Sequence, residues 1–403
     1  MSQNGDAAGD IRIHLFGRTD VGQIREHNED NFLVADLTRR SRSLMEADRQ
    51  QTVGPRGTVL GVCDGMGGAA AGEVASQLAV DIIYEKLVDG ELPKDRDDLA
   101  RRLVRAIEEA GLRIFNEARA DRSRRGMGTT STIAALVDSR LFLGQVGDSR
   151  AYILRGDRMV QVTRDQSLVN QLIEAGQLTE EEAETFEHNN IILQALGTAD
   201  TVQVDLTYAD LRQGDVLMLC SDGLSGMLRA DEMREVLITI KDPLEACKVL
   251  TDRANLAGGH DNITVIVAKF EGSGLPPASA EDLLSYQKYA ITQQATADAT
   301  VRAAPVAPET PLNLSDEAAR ESRKLKVSHT MVGMDAATVQ AAVQAAGQGP
   351  APHTPPMPPA YYDPEEDPVD IPTTGLPPTV VGMMVLGALL VAALAGGYLA
   401  LAP

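Results

Sequence analysis

The stretch Gly61–Gly68, GVCDGMGG, ends the apolar run TVLGVC on a carboxylate, Asp64, and follows it with three glycines in four positions. The arrangement recurs downstream. VLMLCSDGLSG runs into Asp222-Gly223, RLFLGQVGDSRAYIL sets Asp148 between two apolar runs, and GGHDNITVIVAKF puts Asp261 just ahead of one. A sheet holds a carboxylate at a strand end in a fixed place. A glycine beside it lets backbone approach, so that a carbonyl can join as an oxygen ligand. Mg²⁺ and Mn²⁺ take oxygen ligands in octahedral sets that include a few carboxylates. Several such strand-end acids brought together make a centre for a hard cation. Zinc is disfavoured, because no Cys/His ligand set is present.

Working outward, short β-rich runs dominate residues 1 to about 273: IRIHLF, NFLVA, TVLGVC, TIAALV, LFLGQV, AYIL, VLMLC and ITVIVAKF. Many are continuously apolar, which predicts strands covered on both faces, in a two-sheet core flanked by helices. Helical periodicity appears from Asp97 to Phe115, with Leu99, Leu103, Ile107 and Ile114 on one face. DPLEACKVLTDRANLAGG carries Asp242 as N-cap, Pro243 in the first turn, Glu245 at the third position, and Gly258 as the stop. Thr179 and Glu182 have capping-box spacing, so residues 166–195 read as a small helical flap. Strands run consecutively and helices come in groups, which is α+β texture.

The chain has 403 residues, with 58 acidic against 37 basic side chains and a formal net charge of −21. No basic face is available to neutralise phosphates along a nucleic acid, so no nucleic-acid partner is expected. The acid excess suits solubility and accommodates cations or basic partners. Cys63, Cys220 and Cys247 are odd in number and unclustered. That predicts a reducing compartment, with Cys63 and Cys220 as small core residues.

From 274 to 378 the composition turns to Ala, Pro, Thr and acids, as in QGPAPHTPPMPPAYYDPEEDPVD, which predicts a mostly disordered linker. Thr379–Ala402 holds 24 residues without a charge. As a helix it would be about 36 Å long, enough to cross a bilayer core of ~30 Å. With no apolar leader in MSQNGDAAGDIRIHLFG, the expectation is a single-pass, C-terminally anchored membrane protein with a cytoplasmic head. HTMVGM (His329–Met334) and PTVVGM (Pro378–Met383) share T-x-V-G-M. Either Thr330 is a phosphorylation site or the repeat is coincidental.

Near the N-terminus, TDVGQIREHNEDNF supplies Arg25, Glu29 and Asp30, and an arginine there suits a bidentate grip on phosphate. With DVGQIREHNEDNF, VCDGMGGAAAGEVAS, GMGTTSTIAAL, VGDSRAYIL, LCSDGL and GGHDNITVIV in this order, residues 10–272 resemble the metal-dependent PPM/PP2C protein serine/threonine phosphatases in their bacterial form. The resemblance implies a central antiparallel β-sandwich with helices on both sides, in four αββα layers, and a metal centre at one end. It implies two Mn²⁺ or Mg²⁺ ions, with a third in some members. Asp64 would bridge two ions, the Gly65 carbonyl would bind one, and Asp222 and Asp261 would be further ligands. Asp148 would serve the third ion. Asp30, counted with the metal-centre residues, would orient metal-bound water with support from Glu29, Arg25 would hold the phosphate, and Asn262 would border the phosphate pocket. The implied reaction is direct hydrolysis of phosphoserine and phosphothreonine in proteins, opposing Ser/Thr kinases, which would be among the partners. No C-x5-R loop of a cysteine phosphatase follows Cys63 or Cys220. Eukaryotic members carry His where this chain has Met66, which cannot donate a proton, so a metal-bound water is the expected acid, and His27 and His260 are more often structural at such positions. A catalytically silent phosphoprotein-binding relative is the second reading, and a phosphatase dedicated to an anti-sigma antagonist the third.

Overall fold

The computed structural model describes residues 10–44, 49–67, 71–184, 186, 190–279, 282, 284–291 and 331–332. Every apolar run singled out above forms a strand. In chain order the strands are β1 (Arg12–Asp20), β2 (Asn31–Asp36), β3 (Ser41–Arg42), β4 (Gln50–Thr52), β5 (Thr58–Cys63), β6 (Gly65–Met66), β7 (Gly128–Thr129), β8 (Ser131–Val137), β9 (Arg140–Val146), β10 (Arg150–Arg155), β11 (Arg158–Gln161), β12 (Ile191–Ile192), β13 (Asp205–Asp210), β14 (Val216–Cys220), β15 (Ile263–Glu271) and β16 (Met331–Val332). The helices are α1 (Ala71–Val88), α2 (Arg96–Ala120), α3 (Leu168–Glu174), α4 (Glu180–Glu184), α5 (Asp222–Ser225), α6 (Ala230–Thr239) and α7 (Pro243–Leu256).

Two six-stranded antiparallel sheets carry the core, in the orders β11-β10-β14-β15-β1-β4 and β13-β9-β8-β5-β2-β3. Leu15, Leu60, Val62, Ile153, Leu217 and Ile266 pack between the sheets. A second cluster joins the outer face of β2, β5, β8 and β9 to α1 and α2, and a third joins the outer face of β10, β14 and β15 to α6 and α7. The result is the α+β fold in four layers, helix–sheet–sheet–helix. It explains why the strands are apolar on both faces, since each sheet is covered by its partner sheet and by helices. On α2 the buried stripe of Leu99, Leu103, Ile107 and Ile114 is the expected one. The helix begins at Arg96, where Asp95 caps it by accepting from the Asp98 amide at 2.7 Å. On α7, Asp242 accepts from the Glu245 amide at 3.0 Å with Pro243 at the first position, as its sequence dictates. In the flap, Thr179 and Glu182 exchange both capping-box hydrogen bonds.

The composition break at 273 and the end of packing do not coincide. Leu275 and Leu284 join the core between the sheets. Residues 285–291 then run along β13, where Tyr208 donates to the Gln287 carbonyl and Tyr289 to the Leu206 carbonyl. The Tyr289 ring stands edge-on to Phe142 and Tyr208, and its hydroxyl donates to Asp97. Among the described residues no helix is long and apolar enough to cross a membrane. Thr379–Ala402 and Thr330 lie outside the described residues.

Candidate active site

Strand direction gathers the predicted acids. Asp64 follows β5, Asp148 lies between β9 and β10, Asp222 opens α5 after β14, Asp261 precedes β15 and Asp30 precedes β2. The antiparallel registers, Asn31 opposite Cys63, Arg150 opposite Cys220 and Cys220 opposite Val265, bring these strand ends to one end of the sandwich. Residues separated by more than two hundred positions thus meet because each follows or precedes a core strand at the same end of the sandwich.

The glycines beside the acids have a reason the sequence alone does not show. A Cβ on Gly65 would collide with the carbonyl oxygens of Gly72 and Glu29, and one on Gly223 with the carbonyl of Asn262. Each Asp-Gly step is therefore pressed against neighbouring backbone, which locks the carboxylate in place. The Asp64 peptide is clamped further: its amide donates to the Thr130 hydroxyl at 2.9 Å, and its carbonyl accepts from Thr130 N and Thr129 Oγ1, both at 2.8 Å.

Electrostatically the acids are crowded. Burial drives the carboxyl of Asp30 well above its ordinary range, reinforced by the charges of Asp222 and Asp261. Asp64 is raised by burial and then by Asp30, Asp222 and Asp261. Burial raises Asp222 too, with Asp261 next, and Asp148, with Asp222 and Asp165 adding to it. One oxygen each of Asp30, Asp148 and Asp222 is buried without a hydrogen-bond donor. Uncompensated buried carboxylate oxygens are costly. A hard cation would satisfy them, so this oxygen-only donor set fits Mg²⁺ or Mn²⁺. As they stand, the side chains do not converge on one point among the described residues. Asp261 is turned toward Arg25, accepting from its Nη2 at 2.8 Å.

The loop between β1 and β2 brings the remaining predicted residues to the same end. Arg25 is half-buried beside Asp261. Asp30 is 4% exposed and accepts from the Ser221 hydroxyl at 2.8 Å, a bond that crosses from one sheet to the other. Ser221 in turn accepts from the Thr264 amide at 3.0 Å, which fixes its rotamer. Asn262 is buried, and its amide is committed to the loop. It accepts from Glu29 N at 2.8 Å and donates to the carbonyls of Val21 and His27, both at 2.9 Å. Asn262 therefore holds the Arg25–Asp30 loop in shape. Ser221, Thr129 and Thr130 carry no assigned role in the sequence reading, although they sit inside the quoted blocks. Ser221 could have been found by position, as a hydroxyl next to a strand-end acid, but Thr129 and Thr130 have no acid beside them in the sequence.

Met66 is buried against Ile192 and Ala195, joining the acid-bearing loop to the flap. His27 and His260 are exposed. All three cysteines are free and buried, and burial pushes their thiols up to about 12, so they are core residues and not nucleophiles. A cavity of about 630 Å³ opens elsewhere, between α3, β13 and Lys288–Ile291, and contains none of the predicted site residues.

A sandwich with buried aspartates and an arginine gathered at one end has the chemistry to suit divalent cations beside an anionic group. Similarity to known proteins identifies the family. The family profile of protein phosphatase 2C matches residues 38–257. The serine/threonine phosphatase stp of Listeria innocua is 36% identical over 257 residues, covering 64% of this chain and 96% of that protein. The crystal structure of the Mycobacterium tuberculosis serine/threonine phosphatase PstP/Ppp superposes with a TM-score of 0.56 at 33% identity, covering 64% of this chain and 99% of that one. The catalytic domain of the protein phosphatase PstP, solved in complex with two manganese ions, superposes with a TM-score of 0.54 at 33% identity, covering 65% of this chain and 99% of that one. The chain belongs to the protein phosphatase 2C family.

Proposed function

We propose that this protein hydrolyses phosphoserine and phosphothreonine in proteins, using a pair of Mn²⁺ or Mg²⁺ ions held by Asp64, the Gly65 carbonyl, Asp222 and Asp261, with Asp148 serving a further ion. The observation that carries the reading is the crowding of buried aspartates with unsatisfied oxygens beside Arg25. When bound, the ions neutralise the carboxylates and supply Lewis acidity and an activated water. The guanidinium of Arg25 grips two phosphoryl oxygens and offsets the charge that builds on them. To do so it exchanges its bond with Asp261 for the substrate, which frees that carboxylate as a ligand. Asp30 keeps one oxygen on Ser221 and points the other at the attacking water, with Glu29 backing the loop. Water attacks phosphorus, the ester P–O bond breaks, phosphate departs, and the side-chain hydroxyl of the product regains a proton. Met66 takes no part in that proton transfer and serves as packing between the site and the flap. Asn262 acts through the loop as a positioning residue.

In this reading Thr379–Ala402 anchors the chain in a membrane with the catalytic domain in the cytoplasm. Tethering raises the effective concentration toward membrane Ser/Thr kinases and their targets. Fractionation of the full chain beside a deletion of 379–402 tests the anchor, since both forms remaining soluble would exclude it.

The test of the chemistry is phosphate release from a phosphothreonine peptide by the full chain in detergent, with Mn²⁺, with Mg²⁺ and with EDTA. Turnover that requires the ion and is lost in Asp222→Ala is the expected result. A folded protein inert under every ion would instead be a phosphoprotein-binding module.

A further inference from the structure

The cavity of about 630 Å³ beside the flap has the size of a small-molecule site, and the proposed reaction leaves it unused. Residues from 164–174 at the root of the flap form one wall, Leu193 and Gln194 with residues 203–206 a second, and Lys288, Tyr289 and Ile291 a third. The third wall lies beyond residues 38–257, which the family profile matches, so likeness to the family does not supply it. It is fixed in place by the main-chain bonds between Tyr289 and Leu206 and between Tyr208 and Gln287, and by the Tyr289 ring against Phe142 and Tyr208.

Donors and acceptors are unequal in the lining. Each acid there already has donors. Asp165 accepts from Arg150 and from Gln161, both at 2.8 Å, and Glu174 from Arg164 and Asn170. Asp205 accepts from the Tyr286 hydroxyl at 2.7 Å and pairs with Lys288 at 3.4 Å. The side-chain oxygens of Gln166 and Gln194 accept from the amides of Gly147 and Gln203, at 2.9 and 2.8 Å. A backbone N–H can only donate, so these bonds fix which end of each side-chain amide is oxygen. Both Nε2 atoms are left with long bonds to the Gln203 carbonyl, 3.5 Å from Gln166 and 3.3 Å from Gln194. A side-chain amide carries two N–H groups, a lysine three and a guanidinium five. Gln166, Gln194, Lys288 and Arg164 therefore all keep N–H groups without an acceptor among the described residues.

The same cavity is lined by Val104, Leu193, Val204 and Ile291, which pack against core clusters while staying only partly buried. Such a surface suits a ligand that brings acceptors and apolar area together. Two of the spare donors, Arg164 and Lys288, are cationic, which favours an anionic acceptor. A cationic ligand would find every carboxylate already paired.

We propose that this cavity binds a small organic anion, whose carboxylate or phosphate oxygens take up the spare N–H groups while its apolar body covers Val104, Leu193, Val204 and Ile291. The site is separate from the strand-end aspartates and touches them only through Gln166, whose amide and side chain both bond to Gly147, the residue before Asp148.

Methyl NMR on the full chain in a non-ionic detergent tests the proposal, with EDTA present so that no cation draws an anion to the aspartates. The Ile291 methyl is the reporter. The probes are 4-phenylbutyrate, 3-phenylpropylphosphonate and the neutral 4-phenylbutyramide. Saturable shifts with the anions are expected, with the amide bound at least about tenfold more weakly. Saturation by one anion alone supports the site and assigns its oxyanion as carboxylate or phosphate. No saturation by either anion, or equal affinity for the neutral amide, overturns the proposal. Lys288→Met removes a charge from a side chain that is 64% exposed, which leaves the fold intact. Gln194→Glu keeps the oxygen that accepts from Gln203 and removes the N–H donors. A rise in Kd of at least about tenfold in either variant is expected, and its absence in both overturns the proposal. Arg25→Ala should leave Kd unchanged. A weaker Kd in that variant would put the anion at the strand-end site and overturn a separate one.

Discussion

The two ends of the sandwich are both built from charged side chains, and they handle charge in opposite ways. At one end Asp30, Asp64, Asp148 and Asp222 crowd together, their carboxyls raised above the usual range, with buried oxygens unsatisfied. At the other end three aspartates each have an arginine. Arg155 and Asp215 form a buried bidentate pair, 9% and 1% exposed, with bonds of 2.9 and 2.7 Å. Arg140 holds Asp210 through bonds of 2.7 and 2.9 Å, and Arg212 holds Asp282 through bonds of 3.0 and 2.7 Å. The carboxyls of Asp210 and Asp282 accordingly lie below their ordinary range, chiefly because of those arginine bonds. The paired end is built to hold the fold together. The crowded end is strained until something cationic arrives, and such an arrangement marks function more than stability.

Substitutions at the two ends should therefore separate activity from stability. Asp64→Asn at the crowded end should lower phosphate release by about 10³-fold or more, equivalent to about 4 kcal/mol of transition-state stabilisation. Its thermal midpoint in EDTA should hold or rise, because a buried like charge is removed. A drop in that midpoint would break the comparison. At the paired end, Asp215→Ala strands Arg155 in the core and should cost about 3–5 kcal/mol in urea unfolding, with turnover per folded molecule nearly unchanged.

Ser221→Ala sharpens the picture within the active end. It removes the hydroxyl that holds Asp30 and should lower kcat by about tenfold with little change in KM, the effect of losing one hydrogen bond to a charged group. A change confined to KM would assign Asp30 to binding.

The smallest effect is in the pH dependence of stability measured in EDTA. Carboxyls raised in the folded state bind protons more tightly there than in the unfolded chain, so stability should increase on mild acidification from neutrality toward the ordinary carboxyl value of 3.8. Asp210 and Asp282 have the opposite sign. Their contribution is full above the ordinary value of 3.8 and is lost as pH falls below it. The stability curve should rise on mild acidification and then fall, and Asp222→Asn should flatten only the first limb.

Much of this was legible from local signals. Strand-end acids, glycines beside them, the caps at Asp242 and Thr179 and the stripe on α2 depend on a few neighbouring residues, and their chemistry survives out of context. Other features were not legible for identifiable reasons. β13 reads DLTYAD, too polar and short to stand out as a strand, yet it lies at the edge of a six-stranded sheet and receives the 285–291 segment. Tyr289 sits beyond a composition break that signals loss of a core, but its ring finds Phe142 and Tyr208. Ser221 is a hydroxyl next to an acid, and nothing local says that it reaches across to the other sheet.

The amino-acid sequence by itself determined which groups do chemistry, because the carboxylates, the arginine and the glycines are individual residue types with fixed properties. The tertiary structure alone decided what surrounds them. Strand register brings Asp30 to Ser221, close backbone contact requires Gly65 and Gly223, and burial forces the aspartates to share charge. Those effects depend on distance and dielectric between residues far apart in the chain, and neither exists until the two sheets close on each other.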